Sequence, residues 1–220
     1  MKTTRTASDG AWIYTRYLLA CYDFLIFRVL SPYVWRCAPQ HFIALYKTYM
    51  SANHADVGVG TGFILNQCEY TPGHVRIGLF DLQPASLAFT ANRLARFQPD
   101  TVLCNALDPI TSPDQGYDSV ALGGLLHCIP GDMTEKASVF DSVKSLMRPG
   151  ARLFGYTILN REIEKTRLSR CIYFVLYHLK VINGKEDSPC HLSAELSKRF
   201  KHVTVEVIGC VALFSATNSI

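Results

Sequence analysis

The sequence predicts an α/β fold: a seven-stranded, mostly parallel sheet flanked by helices, ending in an antiparallel hairpin. Three observations predict it. From His54 onward, short apolar runs alternate with stretches of helical period, the pattern of βα units around a parallel sheet. Glycines at 58, 60 and 62 separate the first of these runs from the helix after it. Near the end, Val203–Ile208 and Val211–Ser215 face each other across Gly209-Cys210 and read as a hairpin.

The first fifty residues precede this pattern. Residues 1–10 read as a frayed tail, and 11–50, rich in aromatic and apolar side chains, as two or three helices. Breaks are expected near Ser31-Pro32 and Ala38-Pro39, because a proline drives the residue before it out of the helical region. The expected organisation is therefore a helical lid over 1–50 and a core over 51–220. In the core, a first strand ends at Val57 and a helix covers Phe63–Cys68, followed by strand Val75–Phe80 ending at Asp81. Pro84 suits a first helical turn, and Leu87, Ala88, Ala91, Leu94 and Ala95 form one stripe behind it. Strands follow at Thr101–Cys104 and Ser119–Leu122. A helix is expected over Thr134–Met147, started by a capping box of Asp132 and Glu135 and stopped by Pro149-Gly150. Strand Arg152–Ile158 and a polar-aromatic helical stretch over 161–182 lead into the hairpin.

At 220 residues the chain suffices for one full α/β core. Its 22 basic residues are scattered and the net charge is only +4, so a phosphate-tracking surface is a poor first reading and no nucleic acid is expected. Eight cysteines form neither a CxxC pair nor a zinc-spaced Cys/His cluster, which points to reduced, mostly buried thiols, no metal, and a cytoplasmic protein. The apolar stretch Tyr17–Phe27, interrupted by Asp23, is shorter than the roughly 20 residues a bilayer span takes, so no stable membrane insertion is expected.

The chemistry concentrates at Asp56-x-Gly58-x-Gly60-x-Gly62, between a strand and a helix. Glycines let backbone turn sharply and approach a ligand, and the following helix presents free N–H groups. Asp81 ends the next strand, where a carboxylate can accept both hydroxyls of a ribose. Dinucleotides and S-adenosylmethionine (SAM) both suit this logic. The glycines fall at GxGxG after an acidic residue, however, and not at the GxGxxG of dinucleotide sites.

This pattern resembles the first motif of class I SAM-dependent methyltransferases, and the resemblance extends over about residues 50–158. It implies a Rossmann-like sheet with SAM as cofactor. Gly58 and Gly60 would pack against its amino-acid part, and Asp56 would orient the loop. Asp81 would take the ribose, Leu82 would lie beside the adenine, and Asn105-Ala106 would stand where the family often has an acidic residue and a small one. Gly123, in the loop after the fourth strand, would offer a backbone carbonyl to the cofactor's ammonium. The loop lacks the Asn-Pro-Pro-aromatic and Asp-Pro-Pro-aromatic signatures and the Pro-Cys nucleophile of enzymes acting on adenine, glutamine or cytosine.

His127 is the one histidine at the expected site mouth and the candidate general base. Its bland alternative is a packing histidine bonded to backbone. Aromatic side chains from the lid and from the insert after strand five would cover the acceptor, with Tyr17, Tyr22, Trp35, Tyr173 and Tyr177 as substrate candidates. The resemblance is to compact methyltransferases of microbial secondary metabolism. It implies methyl transfer to a small, fairly apolar molecule, with oxygen the first-ranked acceptor. A SAM-assisted cyclisation or pericyclic reaction on the same fold, or a non-catalytic binding module, are the alternatives. The chain is silent on oligomeric state.

Overall fold

The computed structural model describes residues 22–69, 74–111 and 116–218. Strand β1 (Asn53–Val57) lies in the middle of the sheet, parallel to β2 (Arg76–Asp81) and to β4 (Tyr117–Gly123), with Ala55 opposite both Gly78 and Val120. β3 (Asp100–Leu103) extends the β2 side, and β5 (Met147–Ile158) pairs parallel with β4. β6 (Lys201–Ile208) and β7 (Val211–Thr217) form the hairpin, which enters with β7 antiparallel against β5. The order is β3-β2-β1-β4-β5-β7-β6, so the chain changes direction across the sheet between β1 and β4. A crevice opens beyond the carboxyl ends of the strands at such a switch point, the usual place for a ligand.

The central strands are buried on both sides, as in a covered parallel sheet. Successive residues supply two cores. Phe80, Val120 and Leu122 pack with Phe140 and Leu153 on one face, whereas Leu79 and Ala121 pack with Phe42, Tyr46 and Phe154 on the other. Each large side chain removed from water in this way contributes about 1.5–3 kcal/mol.

Helix α1 (Phe24–Val34) departs from the expected break at Ser31-Pro32: it runs through Pro32, wound in π form. The Trp35 N–H donates to Leu30 O at 2.8 Å, five residues back. The wider turn relieves the clash that a proline ring makes with the carbonyl four residues earlier. The break at Ala38 is present, and Pro39 opens α2 (Pro39–Tyr49). α3 (Phe63–Asn66) follows the glycine loop, and α4 (Pro84–Arg93) starts at its proline as expected. Its inward face, however, carries Ser86, Leu87 and Thr90 with Leu94, while Ala88 and Ala95 are exposed.

The Asp132–Glu135 capping box is formed, with Asp132 Oδ1 accepting from the N–H of Thr134 at 2.9 Å and of Glu135 at 3.0 Å. The helix it starts is two pieces, α5 (Met133–Lys136) and α6 (Ser138–Lys144). Pro149-Gly150 lies inside β5, where the register to β4 shifts between Tyr117 and Ser119, because a bulged edge tolerates a residue with no N–H. α7 (Arg167–His178) is shorter than the expected stretch, and α8 (Pro189–Ser197), capped by Ser188, was not anticipated. Among the described residues no helix is long and apolar enough to cross a membrane, and no three His, Cys, Asp or Glu side chains converge as metal ligands. The seven described cysteines are free; Cys37, Cys68 and Cys210 are buried, and Cys171 and Cys190 are exposed, fewer buried than expected.

Candidate functional site

A cavity of about 300 Å³ occupies the switch point, running from the glycine loop to the space under α1 and α2. The loop is fixed at both ends. The Gly58 N–H donates to Phe80 O at 2.7 Å, and Thr90 Oγ1 donates to Gly60 O at 3.1 Å. Gly58, Gly60 and Gly62 have φ of 78°, 54° and 64°, a region side chains disfavour. A Cβ at Gly62 would strike the Thr90 methyl at 2.5 Å, whereas one at Gly60 would meet nothing within 4 Å. Gly60 thus lines open cavity, as a loop that cradles a ligand must.

Two carboxylates face this space. Asp56, buried in β1, accepts from the Tyr46 hydroxyl at 3.1 Å. Burial pushes its carboxyl up to about 7, the Tyr46 hydrogen bond pulls the other way, and the charge of Asp81 adds to the rise. Asp81 accepts from the Gln83 N–H at 2.8 Å and from the Gly60 N–H at 3.4 Å. Its carboxyl is also raised by burial, against those bonds. Leu82, Asn105, Ala106 and Gly123 all line the same cavity. Asn105 Oδ1 accepts from the Leu107 N–H at 3.1 Å, so the oxygen expected to meet an adenine amino group already closes a turn with one of its two lone pairs.

His127 lines the cavity from a short 3₁₀ turn, Leu126–Cys128. Its Nδ1 accepts from the Ile158 N–H at 3.3 Å and lies 3.4 Å from Thr157 Oγ1. This network assigns the ring proton to Nε2. Burial, and then the charge of Lys136, lower its pKa to about 3. The ring is therefore a neutral donor, and the general base expected here would need the opposite tautomer. The turn is held from below: the Asn183 N–H donates to His127 O at 2.7 Å, and Asn183 Nδ2 to Cys128 O at 2.8 Å.

The opposite wall is apolar and comes from the segment expected to be a lid. Tyr22 and Trp35 line it as expected, joined by Leu25, Ile26 and Leu30. Leu25, Leu30 and the C-cap Trp35 recur at five residues, the hydrogen-bond spacing of the π winding and not that of an α-helix. Tyr17 lies outside the described residues. Tyr173 and Tyr177 do not line the cavity. Ser169 Oγ donates to Val34 O at 2.6 Å, and on α7 so anchored Tyr173 is buried in the core with the partly buried Tyr177 stacked on it, centroids 6.3 Å apart, while Leu176 faces the cavity.

Among the lining residues that went unnoticed in the sequence are Tyr46, Phe42 and Tyr156. Phe42 stacks on Tyr156 at 4.1 Å. The available signal was the four-residue spacing of Phe42 and Tyr46 on α2, which places both on one inward face.

A model of the methyltransferase domain family matches residues 55–153. Demethylluteothin O-methyltransferase of Streptomyces thioluteus is 34% identical over 208 residues, covering 94% of this chain and 90% of that protein. The physcion biosynthesis cluster O-methyltransferase of Aspergillus chevalieri is 31% identical over 210 residues, 94% of each chain. Among solved structures, an O-methyltransferase family protein from Burkholderia thailandensis superimposes with a TM-score of 0.71 at 17% identity, over 96% of this chain and 63% of that one. The N-methyltransferase NodS from Bradyrhizobium japonicum, in complex with S-adenosyl-L-homocysteine (SAH), does so with a TM-score of 0.59 at 12% identity, over 82% and 85%. The sheet order, the glycine loop at the switch point and full-length identity above 30% agree, and the chain belongs to the class I methyltransferases, enzymes whose cofactor is SAM.

Proposed function

We propose that the enzyme methylates the oxygen of a small, fairly apolar secondary metabolite whose hydroxyl is acidic enough to ionise without a base from the protein. The observation that carries this is the hydrogen bonding of His127: the one histidine among the described cavity-lining residues accepts from the Ile158 N–H at Nδ1, which leaves its Nε2 as a donor, and its lowered pKa keeps it neutral. The tyrosines there are held above their usual range by burial, which makes them poor bases near neutrality.

The cofactor reading is supported by Gly60, where a Cβ would enter empty space, and by the two carboxylates beside it. Asp81 would hold the ribose hydroxyls, Leu82 and Ala106 would flank the adenine with Asn105 at its edge, and Gly58, Gly60, Asp56 and Gly123 would hold the amino-acid end. Bound SAM supplies an activated methyl on a sulfonium centre. The chain contributes the rest. Leu25, Ile26, Leu30 and Trp35 exclude water from the acceptor, and the Nε2–H of His127 stabilises a bound oxyanion. We read residues 1–50 as the lid of this chamber and 51–220 as its core. The names of the two relatives, both O-methyltransferases, support oxygen as acceptor.

The test is incubation of purified protein with SAM and paired acceptors of matched size, one phenolic or enolic and one a simple alcohol, read by mass spectrometry. A gain of one methyl with the acidic member alone is expected. Equal methylation of both would overturn the base-free reading, and product formed without SAM consumption would overturn methyl transfer.

A further inference from the structure

We propose that Tyr46 is a positioning residue for the cofactor: its hydroxyl, admitted by the missing side chain at Gly123, aims Asp56 at the cationic amino end of SAM. The inference rests on the cofactor reading above.

Three elements meet at this point. Tyr46 comes from α2, Asp56 from β1 and Gly123 from β4. Both the phenol and the carboxylate are buried, and the hydroxyl donates to Asp56 Oδ2 at 3.1 Å. The Tyr46 ring stands edge-on to Phe154 at 5.0 Å and 88°, so the hydroxyl is held in place by packing. A Cβ at Gly123 would collide with that hydroxyl. Gly123 is not in the left-handed region, so the glycine answers to space and not to backbone strain.

The electrostatics give this contact a task. Burial drives Asp56 toward its neutral form, and the Tyr46 hydrogen bond opposes it. The ionisable groups acting on or with Asp56 are Tyr46 from α2, Asp81 from β2, Cys68 after α3 and Tyr156 from β5. None of the four carries a positive charge; Lys47 acts on Cys68. Tyr46 is therefore the neighbour that favours the carboxylate before a cation arrives. Without its hydroxyl, Asp56 would hold its proton to higher pH and meet an ammonium as a neutral acid.

Calorimetric titration with SAH between about pH 5.5 and 8.5 separates the possibilities. For the wild-type protein, affinity is expected to fall as pH drops below about 7. Tyr46→Phe should move that midpoint up by about one pH unit, weakening binding about tenfold near pH 6.5 while approaching wild type at the top of the range. Gly123→Ala should produce the same shift, and the double variant should shift no further. Asp56→Asn should bind weakly and supply the pH trend of SAH itself as reference. Uniform weakening in Tyr46→Phe with an unmoved midpoint marks a merely structural role and overturns the proposal alone. Failure of wild-type protein to bind SAH at any pH overturns the cofactor reading with it. Should Gly123→Ala not fold, Tyr46→Phe still decides, since it deletes one oxygen and keeps the ring.

Discussion

Arg93 Nη2 lies 2.7 Å from Oδ2 of Asp23, tying the N-cap of α1 to the last turn of α4. The second carboxylate oxygen accepts from Thr61 Oγ1 at 2.5 Å, and Arg93 Nη1 donates to Thr61 O at 2.8 Å. Thr61 sits between two glycines of the loop, so one contact joins the proposed lid, the loop and α4. Both charged side chains are mostly buried, 14% and 23% exposed. Asp23→Ala should cost about 1–3 kcal/mol in urea unfolding, because it leaves a guanidinium without its partner. It should also raise KM for SAM and speed proteolysis near residue 24, whereas Asp23→Asn, which can still accept from Thr61, should do less of each.

Gly60 and Gly62 should respond differently to alanine. At Gly62 a left-handed φ of 64° combines with the Thr90 methyl 2.5 Å away, so Gly62→Ala should cost about 2–4 kcal/mol and lower Tm sharply. At Gly60 only backbone strain opposes the substitution, about 1–2 kcal/mol. Its methyl would enter the cavity, so Gly60→Ala should fold and fail to bind SAH. Differential scanning fluorimetry with and without SAH distinguishes the two.

His127→Ala is expected to lower kcat about 10- to 100-fold by removing a donor, with His127→Asn retaining part of it. The pH dependence of kcat should show no limb near about 6.5 in the wild type, since the ring does not titrate there. A limb that vanishes in His127→Ala would restore the general-base role.

Ligand-free stability should carry two opposed pH dependences. Asp56 titrates near 7 in the fold and near about 4 when unfolded, so the folded state holds the extra proton between them. Its contribution is full below about pH 4 and is lost as pH rises through about 7. His127 runs the other way: lowered to about 3, it contributes fully above about pH 6.5, and that contribution is lost as pH falls through about 3. Asp56→Asn should therefore stabilise the ligand-free protein near pH 8 by on the order of 2 kcal/mol while weakening SAH binding. Urea unfolding at pH 6 and pH 8 with a slope unchanged by the substitution would contradict this.

The parts legible in the sequence are those that local chemistry dictates. The Asp56–Gly62 loop, Asp81 and the Asp132 capping box each follow from what nearby backbone requires, and each lies where expected. The hairpin was legible from two short runs meeting at Gly209-Cys210, and Ile208 pairs with Val211 across that turn. What escaped depends on contacts distant in sequence. Tyr46 matters because it reaches Asp56, ten residues on, past a glycine at 123. Tyr173 is buried, with Tyr177 packed against it, on a helix whose Ser169 bonds to Val34, 135 residues away. The tautomer of His127 is set by a backbone N–H on β5.

The five-residue recurrence of α1 has an evolutionary consequence. Shortening Phe24–Val34 by one residue would bring Leu25 and Leu30 to a spacing of four, where an ordinary α-helix keeps them on one side. The wall would keep these side chains with a slimmer contour, and Pro32 would again crowd the carbonyl four residues back and bend the helix. Single insertions and deletions in this stretch are thus expected to reshape the proposed acceptor chamber without exchanging its side chains, making chain length itself a means of changing which molecules would fit.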